Sequence, residues 1–97
     1  MAFNVQFDQR AESDLESLPK SDQVFVIKKI DKELVANPYP RGKTIKKLQG
    51  VSLDIYRLRI NAASQSYRTF YQILPDNTVY ILRIVAKKDS LKVIKNF

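Results

Sequence analysis

The stretch Val79-Tyr80-Ile81-Leu82-Arg83-Ile84-Val85 is apolar at odd and even positions alike. A strand alternates its side chains between two faces, so a run of this kind has to be covered above and below, as a central strand is. The chain therefore needs a sheet and something to lie on it. Two further strand-like runs, Leu53 to Ile60 and Tyr67 to Leu74, precede the third, which spans Thr78 to Ala86. Pro75-Asp76-Asn77 is a strong turn signal, and Asn61 to Ser66 is a polar connection. The three runs read as an antiparallel meander.

The cover comes from the first forty residues. Phe3, Val5 and Phe7 alternate with polar residues, which predicts a strand, and Asp8 then offers a helix N-cap. Ala11, Leu15 and Leu18 form one stripe of a short amphipathic helix that ends at Pro19-Lys20-Ser21. A second helix is expected to begin near Ser21 or Asp22. Its buried stripe is read as Val24, Ile27, Ile30 and Leu34, widened by Phe25, Val26 and Val35, and Asn37-Pro38 stops it. Pro38 to about Val51 reads as a basic loop, and Asp89 or Ser90 caps a short final helix bearing Leu91, Ile94 and Phe97. Helices and strands segregated in this way imply one α+β domain over residues 1–97, with a helical hairpin packed on one sheet face. No apolar run reaches membrane-spanning length and no signal segment is recognisable, so a soluble, cytoplasmic protein without a membrane partner is expected.

Absent residue types narrow the chemistry. The chain has no Cys and no His, which removes thiolate nucleophiles, catalytic triads and the commonest metal ligands. Gly42 and Gly50 are the only glycines, too few for a dinucleotide or Walker-type phosphate loop, so no cofactor is expected. The acids of the second half, Asp54, Asp76 and Asp89, lack the spacing of a magnesium site, and no metal is expected either.

Charge is strongly segregated. Residues 1–40 carry five Lys/Arg against seven acids, a net of −2, whereas residues 41–97 carry twelve against three, a net of +9. Such a field suits a polyanion or an acidic partner. Period-two alternation puts Arg57 and Arg59 on one side of their strand, where they repel each other unless something anionic arrives. Arg68 lies on the next run, Lys87 and Lys88 end the third, and antiparallel pairing would gather all five cations. Lys43, Lys46 and Lys47 in the basic loop and Tyr56 beside Arg57 are further candidates for contact with RNA. Guanidinium groups fork onto phosphates, and flat side chains stack unpaired bases. Tyr56, Tyr67 and Tyr71 also suit a strand interior.

Tyr56-Arg57-Leu58-Arg59-Ile60 followed by Tyr67-Arg68-Thr69-Phe70-Tyr71-Gln72-Ile73 resembles the paired strand motifs of the RelE/ParE superfamily of bacterial and archaeal toxins. Ala11 with Leu15 and Leu18-Pro19, Asn37-Pro38, Lys47-Leu48-Gln49-Gly50 and Lys87-Lys88-Asp89 are similar to its other landmarks, in the right order over nearly the whole chain. The resemblance, closer to the RelE branch, implies the RelE-like microbial RNase fold: an N-terminal strand, a helical hairpin, a three-stranded meander and a short C-terminal helix. It also implies a type II toxin that is neutralised by a cognate antitoxin and that cleaves messenger RNA on the ribosome without metal, the ribose 2′-hydroxyl attacking the adjacent phosphate. Carried over by position, Arg57 and Arg59 match basic residues of the active surface, Arg68 the phosphate-stabilising arginine, and Lys88 a cation near the leaving group. Many members place a tyrosine or histidine for proton transfer near the C-terminus. Here that segment reads Asp89-Ser90-Leu91-Lys92-Val93-Ile94, and Lys87 or Lys88 remains as proton acceptor. The alternatives are a ParE-like inhibitor that binds DNA gyrase, and a catalytically weak module that binds RNA or antitoxin.

Overall fold

A computed structural model describes residues 2–97. In chain order the elements are β1 (Asn4–Phe7), α1 (Gln9–Glu16), α2 (Lys20–Leu34), β2 (Ile45–Lys47), β3 (Tyr56–Asn61), β4 (Ser66–Leu74), β5 (Thr78–Ala86), a 3-10 turn (Lys87–Asp89) and α3 (Ser90–Lys95). The strands form one mixed sheet in the order β1-β5-β4-β3-β2. β1 runs parallel to β5, and every other neighbour is antiparallel. The α+β expectation holds, with one correction. The antiparallel part has four strands rather than three, because the basic loop contains β2, paired through Ile45↔Leu58, Lys46↔Arg57 and Lys47↔Tyr56. Three residues with a single buried side chain give too short a pattern to read as a strand.

Local chemistry explains most boundaries. Asp8 caps α1, its carboxylate accepting from the Arg10 backbone N–H at 2.9 Å. Asp76 and Asn77 both have positive φ, 64° and 54°, the pair of left-handed residues that a tight β4–β5 turn requires. The first meander strand begins at Tyr56, not Leu53, which is exposed. α2 starts at Lys20, one residue before the expected range, directly after Pro19. β5 is interior as expected, although β4 holds the middle position. A register shift at Phe70/Tyr71 leaves Leu82 as an extra residue of β5.

The main core lies between the hairpin and one sheet face. Ala11 of α1 and Val26, Ile30 and Leu34 of α2 pack on Leu58, Ile60, Tyr67, Tyr71, Val79, Ile81 and Ile84. The stripe expected on α2 is corrected by this packing: Val24, Phe25 and Ile27 are exposed, and the face in contact carries Asp22, Val26, Ile30 and Leu34. Four consecutive apolar residues, Val24 to Ile27, let the pattern fit more than one face. Asp22 is buried on the face observed, where Tyr67 and Ser64 donate to it and offset the cost of its burial. A smaller cluster of Ile55, Phe70, Val85 and Val93 sits on the opposite face under α3. Val93 fills it while Leu91, expected inside, is 72% exposed. Among the described residues no helix is long and apolar enough to cross a membrane.

Candidate nucleic-acid interface

The register of the meander assembles the cations. Arg59 lies directly across from Arg68, and Arg57 lies between Lys46 on β2 and Phe70 on β4. Alternation puts Lys46, Arg57, Arg59 and Arg68 on the face that α1 and α2 leave uncovered. Arg68 is only 7% exposed. Its Nη1 donates to the Tyr67 carbonyl at 3.1 Å, which leaves most of its donors uncommitted. Arg57 donates from Nη2 to the Lys43 carbonyl at 2.8 Å, tying the basic loop to the arginines, while its buried Nε–H has no partner.

No carboxylate balances these charges. The ion pairs among the described residues are Lys29–Glu33, Arg41–Glu33, Lys47–Asp54 and Arg83–Asp14, and none involves Arg57, Arg59 or Arg68. Burial, and then the positive charge of Arg59, push the Arg57 guanidinium below its ordinary pKa. Arg68 moves the same way, through burial and then the charges of Arg57 and Arg59. Cations crowded together and part-desolvated, without an acid, form a surface that an anion stabilises.

Lys87 and Lys88 join this surface from the other side. Ala86 pairs with Tyr67, and the chain then turns into the 3-10 segment, held by Ser90 Oγ donating to the Lys87 carbonyl at 2.8 Å. The result is a groove of about 640 Å³ lined by Gln65, Ser66, Arg68, Lys87, Lys88 and Leu91, among others. Arg68 thus stands where the arginine cluster meets the lysine corner.

Other candidates lie elsewhere. Lys47 and Tyr56, paired with each other in register, face the opposite side of the sheet from Arg57. Lys47 Nζ pairs with Asp54 at 3.0 Å, and the Tyr56 ring stacks on Tyr71 at 5.8 Å beside the main core. Tyr67 and Tyr71 are core residues whose hydroxyls donate to Asp22 at 2.5 Å and to the Pro38 carbonyl at 2.6 Å. Burial raises the pKa of both phenols. Gln65, Ser66 and Leu91 line the groove without having been singled out for it, since a polar connection and an apolar helix position carry no mark of a site in sequence.

Comparison with known proteins adds family context. Residues 13–96 match the family described as Phage derived protein Gp49-like (DUF891). A Methanocaldococcus jannaschii protein named "Putative toxin RelE1" is 34% identical over 91 residues, covering 93% of this chain and 94% of its own length. The fold matches a chain of the archaeal RelE-RelB complex from Pyrococcus horikoshii OT3 with a TM-score of 0.69 and 30% identity, over 90% of this chain and 97% of that one. It also matches a chain of the toxin-antitoxin complex RelBE2 from Mycobacterium tuberculosis with a TM-score of 0.70 and 24% identity, over 90% of this chain and 100% of that one.

Proposed function

Because this chain belongs to the RelE family of type II toxins, we propose that it is a metal-independent endoribonuclease that cuts messenger RNA on the ribosome. The observation that carries this reading is the cluster of Arg57, Arg59 and Arg68 on one sheet face with no acid beside it. The RNA backbone lies along Lys46, Arg57 and Arg59. Arg68 holds the scissile phosphate. The 2′-oxygen attacks the adjacent phosphorus and the bond to the 5′-oxygen breaks, leaving a 2′,3′-cyclic phosphate and a 5′-hydroxyl. The pentavalent transition state gathers negative charge, and preorganised guanidinium groups lower its energy without having to reorganise. Lys87 and Lys88 flank the same groove, one to take the 2′-hydroxyl proton and the other to give its proton to the leaving 5′-oxygen. The ribosome supplies the remaining order by aligning the 2′-oxygen for in-line attack.

The inhibitor of such a toxin is a cognate antitoxin whose acidic, amphipathic segment covers the arginines and the lysine corner. Opposite potentials give it fast association, and apolar burial gives it lasting affinity. One observation favours a second reading. The side chains lining the groove include no carboxylate, and the chain has no histidine, so the surface also suits a ParE-like inhibitor that holds DNA gyrase by contact alone.

The deciding experiment adds purified protein to programmed ribosomes and, separately, to gyrase. Cuts within the message that need the ribosome are expected. Intact messages together with inhibited supercoiling would replace the nuclease by the gyrase binder.

A further inference from the structure

Helix α2 carries a second apolar stripe, outside the core. Val24 and Ile27 are exposed and belong to neither core cluster, yet they stand at the spacing of a buried seam. Lys20 and Asp31 continue it, so Lys20, Val24, Ile27 and Asp31 follow one another at steps of four, three and four residues, the alternation of paired helices in a coiled coil. Each of these side chains is exposed. Among the described residues neither Lys20 nor Asp31 has an ion-pair partner.

The two charges are placed badly for their own helix. A cation at the first residue of α2 and an anion in its last turn oppose the helix dipole, whereas Asp22 and Lys32, off the stripe, match it. Beside an antiparallel helix they are placed well, since the cation then lies at the neighbour's C-terminal end and the anion at its N-terminal end. Reversed, the stripe is also its own complement. Rotation about a two-fold axis midway between Val24 and Ile27 sets Lys20 against Asp31 and Val24 against Ile27 of a second copy. The helical layer does not resist the approach, because α1 and α2 together carry five cations and six acids. The arginines lie on the other side of the sheet from α2 and point outward in both copies.

We propose that α2 pairs with α2 of a second copy, antiparallel and about a two-fold axis, through Lys20, Val24, Ile27 and Asp31. The seam runs for about 16 Å of helix, less than a standard interface provides, so the dimer is weak and reversible. Both arginine surfaces stay open in it, so the pairing does not depend on what those surfaces bind.

Sedimentation equilibrium of the purified protein tests the pairing. A monomer–dimer equilibrium with a dissociation constant of ~100 µM is expected. Lys20→Asp or Asp31→Lys alone should weaken association about tenfold, by setting like charges against each other at both ends of the seam. The double variant should restore it, since the ion pairs are then exchanged rather than broken. Ile27→Glu should leave only monomer, with a far-ultraviolet spectrum and a melting temperature close to wild type to show that the fold persists. A wild-type protein that stays monomeric up to ~1 mM, an association that Ile27→Glu leaves intact, or a double variant as weak as the single ones overturns the pairing. Monomeric wild-type protein together with an antitoxin complex that Ile27→Glu breaks would overturn it as well, and give the stripe to the antitoxin.

Discussion

Arg68 is where burial, charge and position coincide, and its loss separates chemistry from folding most cleanly. Arg68→Ala is expected to abolish growth arrest on induction and to lower message cutting ~100-fold or more. Thermal melting should stay close to wild type, because the guanidinium has no carboxylate partner to lose. A folded Arg68→Ala that remains fully toxic would move the phosphate site elsewhere. Asp22 shows the opposite behaviour, a buried charge with two hydroxyl donors on one carboxylate oxygen. The hydroxyls of Ser64 and Tyr67 hold its carboxyl below the ordinary Asp value. Its contribution to stability is therefore present above the ordinary carboxylate range and disappears as pH falls through the lowered folded value. Tyr67 works from the other end. Burial and the bond to Asp22 raise its phenol, so its contribution is intact below the ordinary tyrosine range and is lost as pH rises through the raised folded value. Melting temperature measured against pH should fall on both sides, and Asp22→Asn should flatten the acid limb while lowering stability at neutral pH.

Helix α2 tests the packing at the scale of an element. Leu34→Ala removes a fully buried side chain from the main core and should cost about 2–5 kcal/mol in denaturant unfolding. Ile27→Ala, on a residue 41% exposed, should cost about 0.5 kcal/mol or less. Equal losses would restore the stripe read from sequence. The same helix shows what a sequence can specify. Asp8 as a cap, the Pro75-Asp76-Asn77 turn and the apolar run of β5 were legible because each rests on contacts within a few residues. The face of α2 depends on Ser64 and Tyr67, more than forty residues away, so no local period reveals it. Strand β2 was hidden for a similar reason, since its three residues make sense only once β3 is beside them. Arg57, Arg59 and Arg68 were legible as a group because strand alternation and hairpin pairing are enough to bring them together. Gln65 and Leu91, which line the groove, were not, because a polar connection and an apolar helix position carry no mark of a site.

Over the whole molecule α1 and α2 carry five cations against six acids, close to balance, whereas the unpaired arginines lie on the far side of the sheet, so the positive excess is carried on one face. Association with a polyanion should weaken steeply as salt rises, through the release of counterions. Charge reversal by Arg57→Glu together with Arg59→Glu should reduce the slope of log affinity against log salt by about two. An unchanged slope would place the polyanion on another surface. The sheet ends at one edge in β1, whose one strand partner among the described residues is β5. Tyr80 of β5 donates to Asp8, 72 residues earlier, at the end of that pairing. As the chain is made from its N-terminus, β1 emerges early and must wait for β5, a neighbour about seventy residues further along. The arginine surface waits as well, since Arg59 and Arg68 are held in place by β4, which itself pairs with β5. Non-local pairing of this kind folds slowly and late. The arginine face can therefore form only once β5 has left the ribosome, and until then the chain is carried with its positive surface unassembled.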